Sequence, residues 1–376
     1  MVKVKEAKPG SALALCGPLR EMALRHGPGQ RLPTRDALCR TFETSAVTLN
    51  NALKELERQN VITRRRGSGI FVSPALHQKH VLVLLESLFF QTNGVSPFWA
   101  RLWGLCAERA QVREAQFNEL YSFHLKNSVF EPNQPLPADV LRQIENGSVH
   151  GVVNIGLNPI DVDWEKHRRL PMVSFAGTGR WTVEIEDEFW PEVTRSLAAK
   201  GCRAVGSWSM VYAERLAFHT ENDTRRGHAS RERLAAALAD CGLLCDRRLI
   251  FDTLSCIENQ MPAALSPQQC GYDLAMRYFA GGEPRPDGLY IHDDLLTFGA
   301  LVAFEELGLQ VGRDVHICTT SNAGTLPLFG REKQLGRLEL DAADIADALF
   351  EMLALLMAGR EPIERVRRVR PRLDLL

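Results

Sequence analysis

A small α+β unit at the N-terminus, followed by a large α/β body with parallel sheets in two lobes, is the fold this 376-residue sequence predicts. Three observations predict it. Charge is unevenly divided: residues 1–80 hold 14 Lys and Arg against 6 Asp and Glu, and the remainder holds 31 against 40. Within the basic segment, an amphipathic helical pattern at 45–58 precedes two β-prone runs around a glycine-containing basic loop. Beyond it, apolar strand-like runs alternate with helical patterns, the signature of parallel sheets. About 300 residues exceed the usual size of one such core, hence two lobes.

In the head, Leu13, Leu15, Leu19, Met22 and Leu24 mark a first helix across 11–25, which the glycines at 27 and 29 end. Thr34 can cap a second short helix holding Leu38 and Phe42. Ser45 can cap a third, whose apolar residues Leu49, Ala52, Leu53 and Leu56 fall on one stripe. Its other face carries Thr48, Asn50, Asn51, Lys54 and Arg58. Val61–Thr63 and Ile70–Val72 then flank Arg64-Arg65-Arg66-Gly67-Ser68-Gly69 as a hairpin. Two helices joined by a tight turn, followed by a basic hairpin, describe a winged helix-turn-helix. Its positive charge suits a polyanionic partner.

Residues 73–79 are a short polar linker. The body follows with strand patterns near 80–85, 116–122, 151–157, 171–176, 183–185, 203–209, 288–292 and 315–319. Helical patterns lie near 98–112, 137–146, 189–200, 228–242, 268–280 and 295–308. The basic alternating run at 365–372 reads as an edge strand guarded by charge. No apolar stretch is long enough for a membrane span, and no leader pattern opens the chain. Nine scattered cysteines without a CxxC pair suit a reducing cytoplasm. The sequence lacks GxSxG, a GxGxxG after a strand, a P-loop and HExxH, so neither an enzyme, a cofactor nor a metal site is expected.

The head resembles the GntR family of bacterial transcription regulators. The likeness rests on Gly-Pro-Gly-Gln-Arg-Leu-Pro at 27–33, on Ser45–Leu56, on Val61–Val72, and on the spacing between these blocks. Where Asp36, Ala46 and Asn50 stand, family members commonly carry arginine, and Arg35 sits one place early. The body resembles the LacI/GalR family, whose fold is a two-lobed periplasmic-binding-protein-like domain. Val183–Trp190, Leu197–Gly206, Pro286–Leu309, Gly312–Ile317 and Leu335–Asp341 carry that likeness in order. A GntR-type head on a LacI-type body is similar to the arabinose-repressor type of regulator. That resemblance implies a cytoplasmic homodimeric repressor, a double-stranded DNA operator and a small polar effector, a sugar, held between two lobes. The expected boundaries are 1–72 for the head, 73–79 for the linker and 80–376 for the body. Lobe 1 is placed at about 80–178 with 318–340, and lobe 2 at about 179–317 with 341–376.

The candidate DNA-binding residues follow from helix position and chemistry. The start of the third helix, Ser45, Val47 and Thr48, would face base edges, with Asn50 and Asn51 one turn on. Arg64, Arg65, Arg66, Gly67 and Ser68 form the wing, and the resemblance adds Arg35 as a substitute for the family's arginine at position 36. For the effector, Asp294 follows an apolar strand and precedes a helix, where open α/β sheets bind ligands. The resemblance gives it the effector hydroxyls and places Asp293 just outside the pocket; either aspartate can instead cap the helix. Phe98 and Trp99 can stack on a sugar ring or pack the core. Arg226, His228 and Asp187 complete the candidate set through the resemblance. Two other readings stay open: a DNA-binding regulator with no small-molecule effector, and an α/β enzyme carrying a DNA-binding head.

Overall fold

The computed structural model describes residues 12–87, 90, 96–126, 136–145, 147–157, 167–177, 179–186, 189–211, 221–243, 245–259, 266–281 and 284–376. Two compact units divide the chain. One runs to His80 and also takes in Val112–Tyr121; the other holds Val81–Gln111 and Ser122–Leu376.

The first unit opens with α1 (Ala12–Arg25), α2 (Arg35–Thr41) and α3 (Ala46–Arg58). Both expected caps form: the Thr34 hydroxyl accepts the Ala37 N–H at 3.4 Å, and the Ser45 hydroxyl accepts the Thr48 N–H at 3.1 Å. Leu49, Ala52, Leu53 and Leu56 of α3 are buried and pack with Leu19, Leu38, Ile62, Ile70 and Val72. β1 (Ile62–Arg65) and β2 (Gly69–Val72) pair antiparallel from Ile62 opposite Val72 to Arg65 opposite Gly69. The ladder therefore claims Arg64 and Arg65, leaving Arg66, Gly67 and Ser68 as the turn. Gly67 takes φ +73°, and the Ser68 N–H closes the turn on the Arg65 carbonyl at 2.9 Å. Residues 73–79 hold a short 3-10 turn, Pro74–His77, capped by Ser73.

The body starts with β3 (Lys79–Glu86), α4 (Pro97–Phe117), β4 (Glu119–Lys126), α5 (Ala138–Glu145), β5 (Gly151–Ile155), β6 (Met172–Phe175) and β7 (Thr182–Ile185). It continues with α6 (Trp190–Ala199), β8 (Val205–Trp208), α7 (Glu221–Asp240), β9 (Ile250–Phe251), α8 (Thr253–Asn259), α9 (Pro267–Ala280), β10 (Gly288–Ile291), α10 (Asp294–Glu306), β11 (His316–Asn322) and β12 (Leu335–Leu340). α11 (Ala342–Met357), β13 (Val366–Val369) and β14 (Arg372–Asp374) finish the chain. One sheet has the order β13-β7-β6-β5-β3-β4 and the other β14-β12-β11-β10-β8-β9. β13 pairs parallel with β7 at a sheet edge, as the basic run suggests.

The lobe boundaries differ from those expected. Residues 318–340 belong to the second sheet, where Tyr290 pairs with Cys318 and Ile317 with Leu335. β7 joins the first sheet through Ser174 opposite Thr182. α11 packs on that sheet as well: a Cβ on Gly151 would lie 2.8 Å from Met357 Sδ. The chain thus changes lobes after β7, between β12 and α11, and between β13 and β14. Strand–helix alternation is the same in both lobes, so it carries no label for the sheet a strand joins. In the second lobe α9 and α10 meet through Gly271 and Gly299, where a Cβ would fall within 2 Å of a facing backbone oxygen.

Candidate functional site

Two regions gather the candidate residues. In the head, the first turn of α3 presents Val47 at 72% exposure, an apolar side chain left in water on the face opposite the buried stripe. Such a methyl-bearing group suits contact with a thymine methyl. Asn51 and Arg35 are exposed, and Thr48 is half-buried beside Ser45, whose hydroxyl lies 2.9 Å from the Thr48 hydroxyl. Arg65 lies over the Phe71 ring at 4.9 Å from its centroid, while Arg66, Gly67 and Ser68 stand exposed at the wing tip.

Arg64 is placed otherwise than the sequence suggests. Its guanidinium donates to Glu57 at 2.6 and 2.9 Å and to Asn50 Oδ1 at 3.0 Å. Strand alternation turns it toward α3, and it links the hairpin to that helix. The Arg64 guanidinium holds the Glu57 carboxyl below its usual range. Asn50 therefore presents its amide group from a fixed orientation. Sequence reasoning missed Glu57, since the link depends on hairpin register, and it missed Arg31. The latter bridges to Phe71, and its Nε would lie 2.9 Å from a Cβ on Gly69, so it adds a third cation to Arg65 and Arg66 on the hairpin.

In the body, a cleft of about 450 Å³ lies between the two sheets' lobes. From one side Phe98, Trp99 and Phe175 form an aromatic wall, with centroid separations of 5.1 to 6.1 Å. The other side offers His292, Asp293, Thr320 and Asn322, from the C-terminal ends of β10 and β11. His292 Nε2 is 2.9 Å from the Ser207 hydroxyl, and its ring sits against Trp190 and Tyr290. Burial pushes the imidazole down to about 4, so it is neutral at pH 7.

The two aspartates are placed differently from the sequence expectation. Asp293 lines the cleft and also caps α10, its Oδ1 accepting the Leu295 and Leu296 N–H groups at 2.9 Å each. Its carboxyl is pushed up to about 6, first by burial and then by the neighbouring Asp294 charge. Asp294 is only 1% exposed and is not among the cleft-lining residues. It accepts Asn322 Nδ2 at 3.1 Å and the Thr325 hydroxyl at 3.4 Å, tying the end of β11 to the turn that follows it. The cap turns the two consecutive side chains in different directions, which a sequence pattern does not record.

Arg226 and His228 are exposed on α7 and do not reach the cleft. The inward face of α7 runs through Gly227, Arg231, Leu234 and Leu238; a Cβ on Gly227 would meet Leu254 at 2.9 Å. Positions 226 and 228 flank that face at about 100° per residue. Asp187 lies outside the described residues. Arg231, unremarked in the sequence, is the inward arginine. It is bidentate to Asp252 at 2.6 and 2.9 Å, and it also donates to Glu258 and to the Ser255 hydroxyl.

Comparison with known proteins bears on both regions. Residues 21–72 match the model for bacterial regulatory proteins of the gntR family, and residues 194–375 match that of a periplasmic binding protein-like domain. A curated relative from Bacillus subtilis (strain 168), the uncharacterized HTH-type transcriptional regulator YurK, is 32% identical over 73 residues. That match covers 19% of this chain and only 30% of the relative. A crystal structure of transcription regulator GntR from Chromobacterium violaceum is 24% identical with a TM-score of 0.55, covering 79% of this chain and 98% of that one. A LacI family transcriptional regulator from Arthrobacter sp. FB24, in complex with lactose, is 15% identical with a TM-score of 0.52, covering 79% and 98%. At these identities the solved structures support the fold.

Proposed function

We propose that this chain, a DNA-binding transcription regulator of the GntR and LacI type with a gntR-family head and a periplasmic-binding-protein-like effector domain, is a cytoplasmic repressor answering to a sugar. It would bind a two-fold operator as a homodimer, with the sugar held in the interlobe cleft. The observation that carries the sugar is the two-sided lining of that cleft. Phe98, Trp99 and Phe175 offer flat apolar faces for the C–H face of a pyranose. Asp293, His292, Thr320 and Asn322 offer acceptors and donors for its hydroxyls. The lactose complex of a relative with the same fold points the same way. A sugar touching both lobes binds one closure better than another, and that difference in affinity is what couples it to the head.

The test is calorimetric titration of the full chain with lactose and a panel of mono- and disaccharides. Asp293→Ala is expected to cost at least tenfold in affinity, since a charge-assisted hydrogen bond contributes about 1.5–3 kcal/mol and 1.4 kcal/mol is tenfold. Asp294→Ala is expected to act differently, lowering the melting temperature by releasing Asn322 and Thr325. Failure of every sugar to bind, or equal losses from both variants tracking their melting temperatures, contradicts the sugar assignment.

A further inference from the structure

The boundary between the two compact units does not fall at the linker. It falls inside three elements: the unit that holds the head ends within β3 at His80, and it also takes in Val112–Tyr121, the end of α4 and the start of β4. Of these elements, α4 is the one that also carries described cleft-lining residues, Phe98 and Trp99, in its first turn. Its 21 residues make a rod about 30 Å long at about 1.5 Å per residue. The turn at its far end is tightly held. Glu119, 3% exposed, accepts Arg113 at 2.6 and 2.7 Å and the Tyr121 hydroxyl at 2.6 Å, with the Lys79 charge near. Glu114 Oε1 accepts the Tyr121 N–H at 3.0 Å. Between helix and strand stands Asn118 at φ +51°, a left-handed conformation that asparagine tolerates better than most side chains.

We propose that Asn118 is the clamp through which α4 sets the linker, so that an effector held at Phe98 and Trp99 acts on the head along this helix. Asn118 meets the linker at both ends. Its Nδ2 donates to the Pro74 carbonyl at 3.3 Å, and its own carbonyl accepts the Lys79 N–H at 3.1 Å. The chain between those points is the 3-10 turn Pro74–His77, whose Ala75 N–H donates to the Ser73 hydroxyl at 3.2 Å. The same turn is fixed to the head. The Ser73 N–H donates to the Val61 carbonyl at 3.0 Å, and Leu76 packs against the head's core. Asn118 is thus joined to the head by short, directional contacts, and the buried Glu119 network braces the turn that carries it. A rod braced at its end passes on a tilt instead of absorbing it, as coupling through a rigid element requires. This role rests on the sugar reading of the cleft, since a ligand at Phe98 and Trp99 is what favours one setting of α4.

The experiment uses the full chain carrying Asn118→Gly or Asn118→Asp. Both replacements tolerate positive φ, and both lack the side-chain N–H that reaches Pro74. One readout is the ratio of DNA affinities with and without a sugar that binds the cleft; the other is hydrogen exchange of the linker amides at 75–79. Each variant is expected to cut the sugar-induced change in DNA affinity about fivefold, the size expected for a residue on a connecting element. Linker exchange is expected to speed up about fivefold, as the loss of one neutral hydrogen bond allows. Sugar affinity of the DNA-free chain and melting temperature are expected to stay at wild-type values, which separates a coupling role from a structural one. A sugar-induced change as large as that of wild type in both variants overturns the clamp. Loss in Asn118→Gly alone overturns it too, since glycine adds backbone freedom that aspartate does not. If no sugar alters DNA affinity in wild type, the cleft reading fails instead, and linker exchange decides the clamp. Equal rates in wild type and variants then overturn it, and faster rates in both variants uphold its grip on the linker.

Discussion

Arg231→Ala is expected to lower the stability of the body by about 3–5 kcal/mol, the cost of breaking a buried ion pair on one side only. The Arg231 side chain is 11% exposed, and its guanidinium holds Asp252, Glu258 and Ser255 at once. Burial pushes the Asp252 carboxyl up, but Arg231 and the Ser255 N–H outweigh it and keep the group ionised below its usual range. Without the arginine, a largely buried carboxylate keeps its desolvation cost and loses its charged partner. The fall in melting temperature is expected to be on the order of 10 °C for a domain of this size. Arg231→Lys is not expected to rescue, since an ammonium cannot make the planar bidentate contact and reach Glu258 as well. The double variant Arg231→Met, Asp252→Leu is expected to recover part of the loss, because no charge is left stranded. Thermal melts of the three variants check this. A loss below about 1 kcal/mol for Arg231→Ala would show the network to be screened as a surface pair is.

The second large effect is expected at the wing. Arg65 and Arg66 stand exposed on the hairpin, and Arg65 is held over Phe71. If each neutralises one phosphate, the double variant Arg65→Ala, Arg66→Ala lowers the log–log salt slope by about 1.8 and weakens DNA binding roughly thirtyfold at 0.15 M salt. The loss is expected for all sequences alike, because phosphate contacts carry no base information. Arg64→Ala is expected to behave differently: it frees Asn50 and Glu57, and so degrades discrimination between operators more than it flattens the salt slope. Fluorescence anisotropy across a salt series separates the two patterns. Equal slopes for wild type and the double variant would remove the wing from the interface.

The head was largely legible because its signals are local. Thr34 and Ser45 cap, Leu49 to Leu56 form a stripe, and Gly67 turns the hairpin. The wing arginines were legible as a group but not individually, since only the ladder from Ile62 to Arg65 decides which of them faces α3. In the body, strand and helix positions followed from periodicity, but sheet membership did not: β11 and β12 look like any other parallel strands until their neighbours are known. The same limit explains the site. Phe98 and Trp99 reach the cleft from the start of α4, the first helix after β3, a placement that the chain order implies. Whether Asp293 or Asp294 faces it depends on cap geometry, and whether Arg226 or Arg231 points inward depends on the rotation of α7. His292, Thr320 and Asn322 were missed because they converge from strand ends that are far apart in sequence.

The central claim is that a sugar in the cleft changes the affinity of the head for DNA. It is tested most directly by the affinity of the full chain for a duplex selected from random sequence, measured with and without a sugar that binds the cleft. The account predicts a selected site with two inverted half-sites, an affinity that falls steeply with salt, and at least a tenfold change on adding the sugar, abolished by Asp293→Ala. Salt-sensitive binding that no cleft-binding sugar alters would contradict it.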